Sequence, residues 1–201
     1  MLKVGLTGGI GAGKSIVAKT FEVLGIPIYQ ADDAAKKLME TNKELVELIK
    51  LCFSEQAYID GKLDRKFIAN IVFNDKEKLK KLNSLVHPFT IQDGIDWMKK
   101  QDAPYAIKEA ALIFESGSQH AFDVIIGVFA PQAMRINRTL KRDSTTRELV
   151  LERMDNQIDD SLKMKLCDEI LINDEQKLLI PQIITLHEKL IKLSNVKNKN
   201  D

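Results

Sequence analysis

Eight residues near the start of the chain, Gly8-Gly9-Ile10-Gly11-Ala12-Gly13-Lys14-Ser15, match G-x-x-x-x-G-K-[ST] with no departure. Glycines let a backbone curl until successive N–H groups point inward, where they can hold phosphate oxygens. Lys14 brings a mobile positive charge to the terminal phosphates, and the hydroxyl of Ser15 can ligate Mg²⁺. A helix beginning near Gly13 adds the positive end of its dipole. The flanks suit this reading. Leu2-Lys3-Val4-Gly5-Leu6-Thr7 is a short apolar run of strand type, and Ile16 to Leu24 carries apolar residues at helical spacing, with Gly25 as the stop.

The rest of the composition bounds what surrounds this loop. A chain of 201 residues is one domain, or one core with small insertions, and is long enough to bury a good core. Its 30 basic and 29 acidic residues leave a net charge of +1, so bulk charge calls for neither nucleic acid nor an anionic membrane. Cys52 and Cys167 lie far apart without metal-ligand spacing and are expected as small apolar core residues. No signal peptide and no apolar stretch of membrane-spanning length are read, and a reducing cytoplasm is the expected setting.

Ile26-Pro27-Ile28-Tyr29 reads as a second strand whose carboxyl end meets Asp32 and Asp33. Ligands of open α/β sheets bind at the carboxyl ends of strands. Either aspartate could be a general base or a Mg²⁺ partner, and either could simply cap the next helix; beside a phosphate loop, Asp32 is the candidate. From Asp33 to about Trp97 the pattern is mainly helical, with a turn at Asp60-Gly61 and an amphipathic stretch opening at Arg65. That is far more chain than a direct crossover needs, so it is expected as a helical insertion carrying the second substrate. His87-Pro88 is expected to break or kink a helix there, with the histidine either structural or functional.

Pro104 to Glu115 contains the next strand and a loop, with Glu109 a candidate for the metal shell and Glu115 for a substrate contact. Asp123 to Ala130, apolar on both faces and β-branched, reads as a central parallel strand. A basic helical segment follows from Pro131, with Arg135, Arg138 and Arg142 sharing a face. A solvated charged face is the ordinary reading of such a run; for phosphoryl transfer, Arg142 is the first candidate to neutralise the moving group. Glu169 to Asn173 is the last strand, followed by a final helix and a polar tail. Five strands alternating with helices imply an α/β fold: a three-layer P-loop architecture on a five-stranded parallel sheet.

The run Gly5 to Ser15 resembles the start of dephospho-coenzyme A kinases, and the resemblance continues along most of the chain. Ala31-Asp32 sits where that family has Asp-Ala-Asp, and Asp60-Gly61-Lys62-Leu63-Asp64-Arg65 is similar to its dG-x-L-x-R segment. His87-Pro88 matches its His-Pro, and Leu112-Ile113-Phe114-Glu115 its Leu-Leu-Phe-Glu. Arg138, Arg142-Asp143, Arg153, Gln157 and Asn173 fall on later signature positions. Three positions depart: Gln30 replaces the first aspartate, Ile16 a common threonine, and Ala111 the usual proline.

The resemblance implies transfer of the γ-phosphoryl of ATP to the ribose 3′-hydroxyl of dephospho-coenzyme A. It also implies a relation to nucleoside monophosphate kinases: a core over 1-32, 101-131 and 167-194, a helical acceptor-binding insertion over 33-100, a lid over 132-160 and a disordered tail over 195-201. On this reading Gly11, Ala12, Gly13, Lys14, Ser15 and Ile16 bind ATP, Ser15 holds Mg²⁺, and Lys14, Asp32 and Arg142 are catalytic. Asp32, Arg65, His87 and Glu115 face the acceptor. The protein is expected as a cytoplasmic monomer or weak homo-oligomer that uses no nucleic acid or membrane. A kinase for another small alcohol and a nucleotide-dependent switch are the competing classes. A switch would lack both the basic lid and the carboxylate.

Overall fold

Parallel strands covered on both faces lose contact with water along their whole length, so they read as unbroken apolar runs. In the computed structural model, which describes residues 1–73 and 75–197, such runs form the sheet. The chain runs β1 (Leu2–Thr7), α1 (Lys14–Val23), β2 (Ile28–Gln30), α2 (Ala31–Thr41), α3 (Lys43–Cys52), β3 (Tyr58–Ile59), β4 (Lys62–Leu63), α4 (Arg65–Phe73) and α5 (Lys76–Lys99). It continues through β5 (Tyr105–Glu109), β6 (Val124–Phe129), α6 (Gln132–Asp143), α7 (Arg147–Asp155), α8 (Asp160–Lys165), β7 (Glu169–Ile172) and α9 (Leu179–Lys197). The chain divides into two units, Met1–Tyr29 with Lys100–Asp201, and Gln30–Lys99.

The first unit holds the expected five-stranded parallel sheet, in the order β2-β5-β1-β6-β7. β1 lies at its centre, with Leu6 opposite Glu109 of β5 and Ile126 of β6. Val4, Leu6, Ile107, Ile126 and Val128 are fully buried, with Phe21 of α1 and Ile183 and Leu190 of α9 packed into the same cluster. Phe21 meets Tyr105 edge-on, centroids 6.3 Å apart, and the Tyr105 hydroxyl lies 2.7 Å from His187 Nδ1. A buried phenol needs such a partner, and burial pushes this one well above its usual range.

The second unit is helical around Leu45, Ile49, Ala57, Leu63, Ile68 and Val86. Its Asp60-Gly61 turn joins the two short antiparallel strands β3 and β4, a hairpin the periodicity had not disclosed. Both turn residues have positive φ, 50° and 76°, which is the backbone an Asp-Gly pair tolerates. Of the break or kink expected at His87-Pro88, the break does not occur: α5 runs through Pro88. Proline there forfeits one backbone bond. Val86, Thr90, Gly94 and Met98, spaced by four, nevertheless bury one continuous stripe, and the Thr90 hydroxyl donates to the Val86 carbonyl.

Two smaller expectations also change. Cys52 is exposed rather than in the core, whereas Cys167 is partly buried and its thiol is pushed up to about 12, chiefly by burial. Residues 195–197 of the expected tail belong to α9, where Lys197 pairs with Asp123 at 2.7 Å. Residues 198–201 lie outside the described residues. Because Phe21 is 0% exposed, Phe21→Ala is expected to destabilise the sheet unit. The loss should be about 3–5 kcal/mol, read from the urea midpoint. A loss under about 1 kcal/mol would mean the ring is not central to the core.

Candidate active site

β1 is the strand on either side of which the chain order diverges, toward β5 and β2 on one flank and β6 and β7 on the other. Ligands of such sheets bind outside the carboxyl ends at that crevice. The Gly8–Ser15 loop leaves β1 at this point and runs into α1, whose cap is Gly13 in the left-handed region at φ 97°. Gly11 also lies there, at φ 76°. The first-turn amides of a helix have no intrahelical acceptor, so the start of α1 presents donors to an anion. Lys14 Nζ spans the loop, donating to the carbonyls of Gly8 at 2.9 Å and Gly9 at 3.4 Å. The Gly9 carbonyl also accepts from the Ala12 N–H at 3.1 Å.

Other elements close on the loop because its glycines have no side chains to keep them off. A Cβ on Gly9 would lie 2.0 Å from Arg135 Nη1, and one on Gly11 would lie 2.3 Å from the Arg135 carbonyl. α6 therefore rests directly on the loop. Arg135 is 6% exposed; its Nε donates to the Ala130 carbonyl at 3.1 Å, and its Nη2 lies 3.7 Å from Asp160 Oδ2. From β7, Asn173 Nδ2 donates to the Ala12 carbonyl at 2.8 Å, and Arg138 holds the Asn173 carbonyl and Glu175.

The segment after α7 reaches the loop as well. Gln157 Oε1 accepts from the Ile10 N–H at 3.1 Å, and Glu115 Oε1 accepts from the Ile158 N–H at 3.0 Å. The same Glu115 oxygen lies 2.9 Å from Lys163 Nζ, which is 0% exposed and also donates to the Ala111 carbonyl at 3.0 Å. Arg135, Gln157, Asp160 and Ala130 line a cleft of about 600 Å³. Both Asp160 oxygens are buried with Arg135 as their nearest cation.

Among the expected site residues, the structure gathers Gly11, Ala12, Gly13, Lys14 and Ser15 in one loop and helix start. Ser15 is exposed and Ile16 is 62% exposed, at the mouth of the loop. Arg142 lies at the exposed end of α6. It pairs with Asp143 at 2.6 Å, and this guanidinium, with Arg153 adding to it, holds the Asp143 carboxyl below its usual range. Arg135, one member of the same run, is the arginine against the loop. Glu115, expected to face the acceptor, is engaged with Lys163 and Ile158 inside the first unit.

Asp32, Arg65 and His87 belong to the second unit. Asp32 is exposed in the first turn of α2, two residues beyond β2 in the chain. Arg65 Nη2 pairs with Glu40 at 3.1 Å, and His87 sits half-buried on α5. Lys163 and Asp160 escaped the sequence reading altogether. Nothing in Asp159-Asp160-Ser161-Leu162-Lys163 separates a buried lysine from a solvated one.

The family model described as CoaE, dephospho-CoA kinase, matches residues 2–178. A dephospho-CoA kinase from Bacteroides fragilis is 34% identical, with 98% of each chain covered. One from Porphyromonas gingivalis is 31% identical over 94% of each. Among solved structures, a dephospho-CoA kinase from Campylobacter jejuni superposes with a TM-score of 0.69 at 28% identity, covering 94% of this chain and 97% of that one. A shikimate kinase from Bacteroides thetaiotaomicron shares the fold at a TM-score of 0.52 and 13% identity, covering 94% of this chain and 98% of that one. Matched along nearly its whole length by relatives that carry one name, the chain belongs to the dephospho-CoA kinase family, ATP-dependent kinases of the last step of coenzyme A biosynthesis.

Proposed function

We propose that this protein phosphorylates the 3′-hydroxyl of the dephospho-coenzyme A ribose with ATP, giving coenzyme A and ADP. Family membership supports the reaction, and the observation that carries it in this chain is the glycine loop with Lys14 across it. The loop is a cradle that a Cβ at Gly9 or Gly11 would fill, and it ends at a helix N-terminus. That fits a triphosphate: the N–H groups of Gly11, Gly13, Lys14 and Ser15, with the Ile16 turn behind them, hold the phosphate oxygens, while the Ala12 N–H stays on the Gly9 carbonyl. Lys14 keeps two of its three ammonium donors on the carbonyls of Gly8 and Gly9 and turns the third to the terminal phosphates.

Among the described residues, no group of three or more His, Cys, Asp or Glu is placed to hold a metal by itself. Magnesium would rest on the Ser15 hydroxyl and the nucleotide's own phosphates. When bound it supplies further positive charge to the β- and γ-oxygens.

Asp32 accepts a hydrogen bond from the 3′-hydroxyl. As the oxygen forms its bond to the γ-phosphorus, the bond from that phosphorus to the ADP oxygen breaks, and the hydroxyl proton passes to Asp32 late. The supports are its place in the chain just past the carboxyl end of β2 and the family motif it matches. The transition state is loose, so positioning and neutralisation outweigh base strength. Gln30 stands where the family has another aspartate, which leaves Asp32 as the base.

Arg142 closes from the lid, 132–160, onto the transferring group, and closure excludes water that would compete as acceptor. Its exposed position at the end of α6 supports this. Arg65 and His87, in the helical insertion, serve the acceptor. The reaction belongs in the cytoplasm, and the free thiols of Cys52 and Cys167 suit a reducing compartment.

Three experiments test this account. ADP release should be fast with dephospho-coenzyme A and near background with nucleoside monophosphates or shikimate; equal rates would transfer the chain to another small-molecule kinase. Lys14→Ala should retain the circular dichroism of the unaltered protein and lose roughly 10³-fold or more in kcat. Asp32→Asn should lower kcat by about 10²–10⁴-fold with little change in the KM for ATP, and near-normal turnover would remove Asp32 as the base.

A further inference from the structure

The loop is held from outside by a side chain that the phosphoryl transfer has no need to touch. Gln157 Oε1 accepts from the Ile10 N–H at 3.1 Å. That N–H and the Gly9 carbonyl are the two ends of one planar peptide unit. The Gly9 carbonyl accepts from the Ala12 N–H at 3.1 Å and from Lys14 Nζ at 3.4 Å. Fixing one end of a rigid plane fixes the other, so Gln157 sets the direction of an oxygen that meets the loop lysine. We propose that Gln157 is a positioning residue for Lys14, and that the buried Glu115–Lys163 pair holds Gln157 at its post.

The second half of this chain of contacts is equally direct. Ile158 follows Gln157, and its N–H is taken by Glu115 Oε1 at 3.0 Å. Lys163, 0% exposed, binds that same oxygen at 2.9 Å and the Ala111 carbonyl at 3.0 Å. The Ala111 carbonyl also accepts from the hydroxyl of Thr7, the last residue of β1, at 3.3 Å. The contacts thus form a closed circuit: from β1 through Ala111 to Lys163, through Glu115 to the backbone beside Gln157, and back to the loop at Ile10. Asp159 fixes the turn between them by accepting from the N–H groups of Ser161 and Leu162 at the start of α8. A buried ion pair adds little net stability but fixes geometry firmly, because leaving either charge alone inside is costly. Glu115 therefore acts on the nucleotide side through Gln157, by way of its Oε1.

The inference rests on the nucleotide reading of the loop, and calorimetric titration of the full chain with MgADP separates the two. Absence of MgADP binding by the unaltered protein would overturn the loop reading itself. Given that binding, Gln157→Leu should weaken it by about 3–10-fold, the loss of one hydrogen bond to a fixed peptide, while dephospho-coenzyme A binds as before. Glu115→Gln should weaken MgADP binding too, and by less when Gln157 is already leucine, since both changes act on the same contact. Should the Glu115 variant fail to fold, the Gln157 variant alone decides the first half. MgADP affinity unchanged in Gln157→Leu would overturn the proposal. So would a Glu115→Gln protein that loses dephospho-coenzyme A while holding MgADP at full strength.

Discussion

The bare backbone at Gly9 and Gly11 is the constraint on which the rest of the site depends. With no Cβ there, a buried guanidinium and the first turns of α6 rest directly on the loop. The Thr139 hydroxyl, returned to the Arg135 carbonyl at 2.8 Å, keeps that carbonyl facing the same place. Asn173 approaches from the far side, within 2.3 Å of where a Gly13 Cβ would be. Glycine serves two purposes in one stretch: it permits the left-handed turns that aim the amides, and it lets three distant segments press inward. The loop is hemmed in on several sides, although its own residues are those that stiffen a chain least.

Much of this architecture could be read from residues alone, for physical reasons. β1 and β6 are central parallel strands, so both faces had to be apolar, and Val124 to Phe129 could hardly have been anything else. The insertion was legible as surplus: the chain between β2 and β5 far exceeds what a crossover requires. The glycine loop was legible because its chemistry is local and its spacing fixed by the size of a phosphate.

What stayed hidden depends on contacts between remote positions. Lys163 is buried because Glu115 and Ala111, some fifty residues earlier, accept hydrogen bonds from its ammonium, and no local pattern carries that information. The arginines of α6 were legible as one face, yet spacing does not say how far along a helix that face stays covered. The structure turns Arg135 inward and leaves Arg142 at the water. Pro88 does not end α5: local rules price a lost hydrogen bond, whereas the buried stripe from Val86 to Met98 carries the helix on. The short hairpin at Asp60-Gly61 announced its turn, but strands of two residues lie below any detectable alternation.

The helical unit leaves the sheet after β2 and re-enters at β5, and those two strands are neighbours, joined by the Ile107 N–H and the Pro27 carbonyl at 3.0 Å. A segment whose two ends emerge from adjacent strands behaves as a cassette. Its length and contents can drift over generations, or be exchanged wholesale, without rethreading the sheet or disturbing the register of β1. The topology so lets the helical unit change while the central strand and the glycine loop that leaves it keep their place in the sheet.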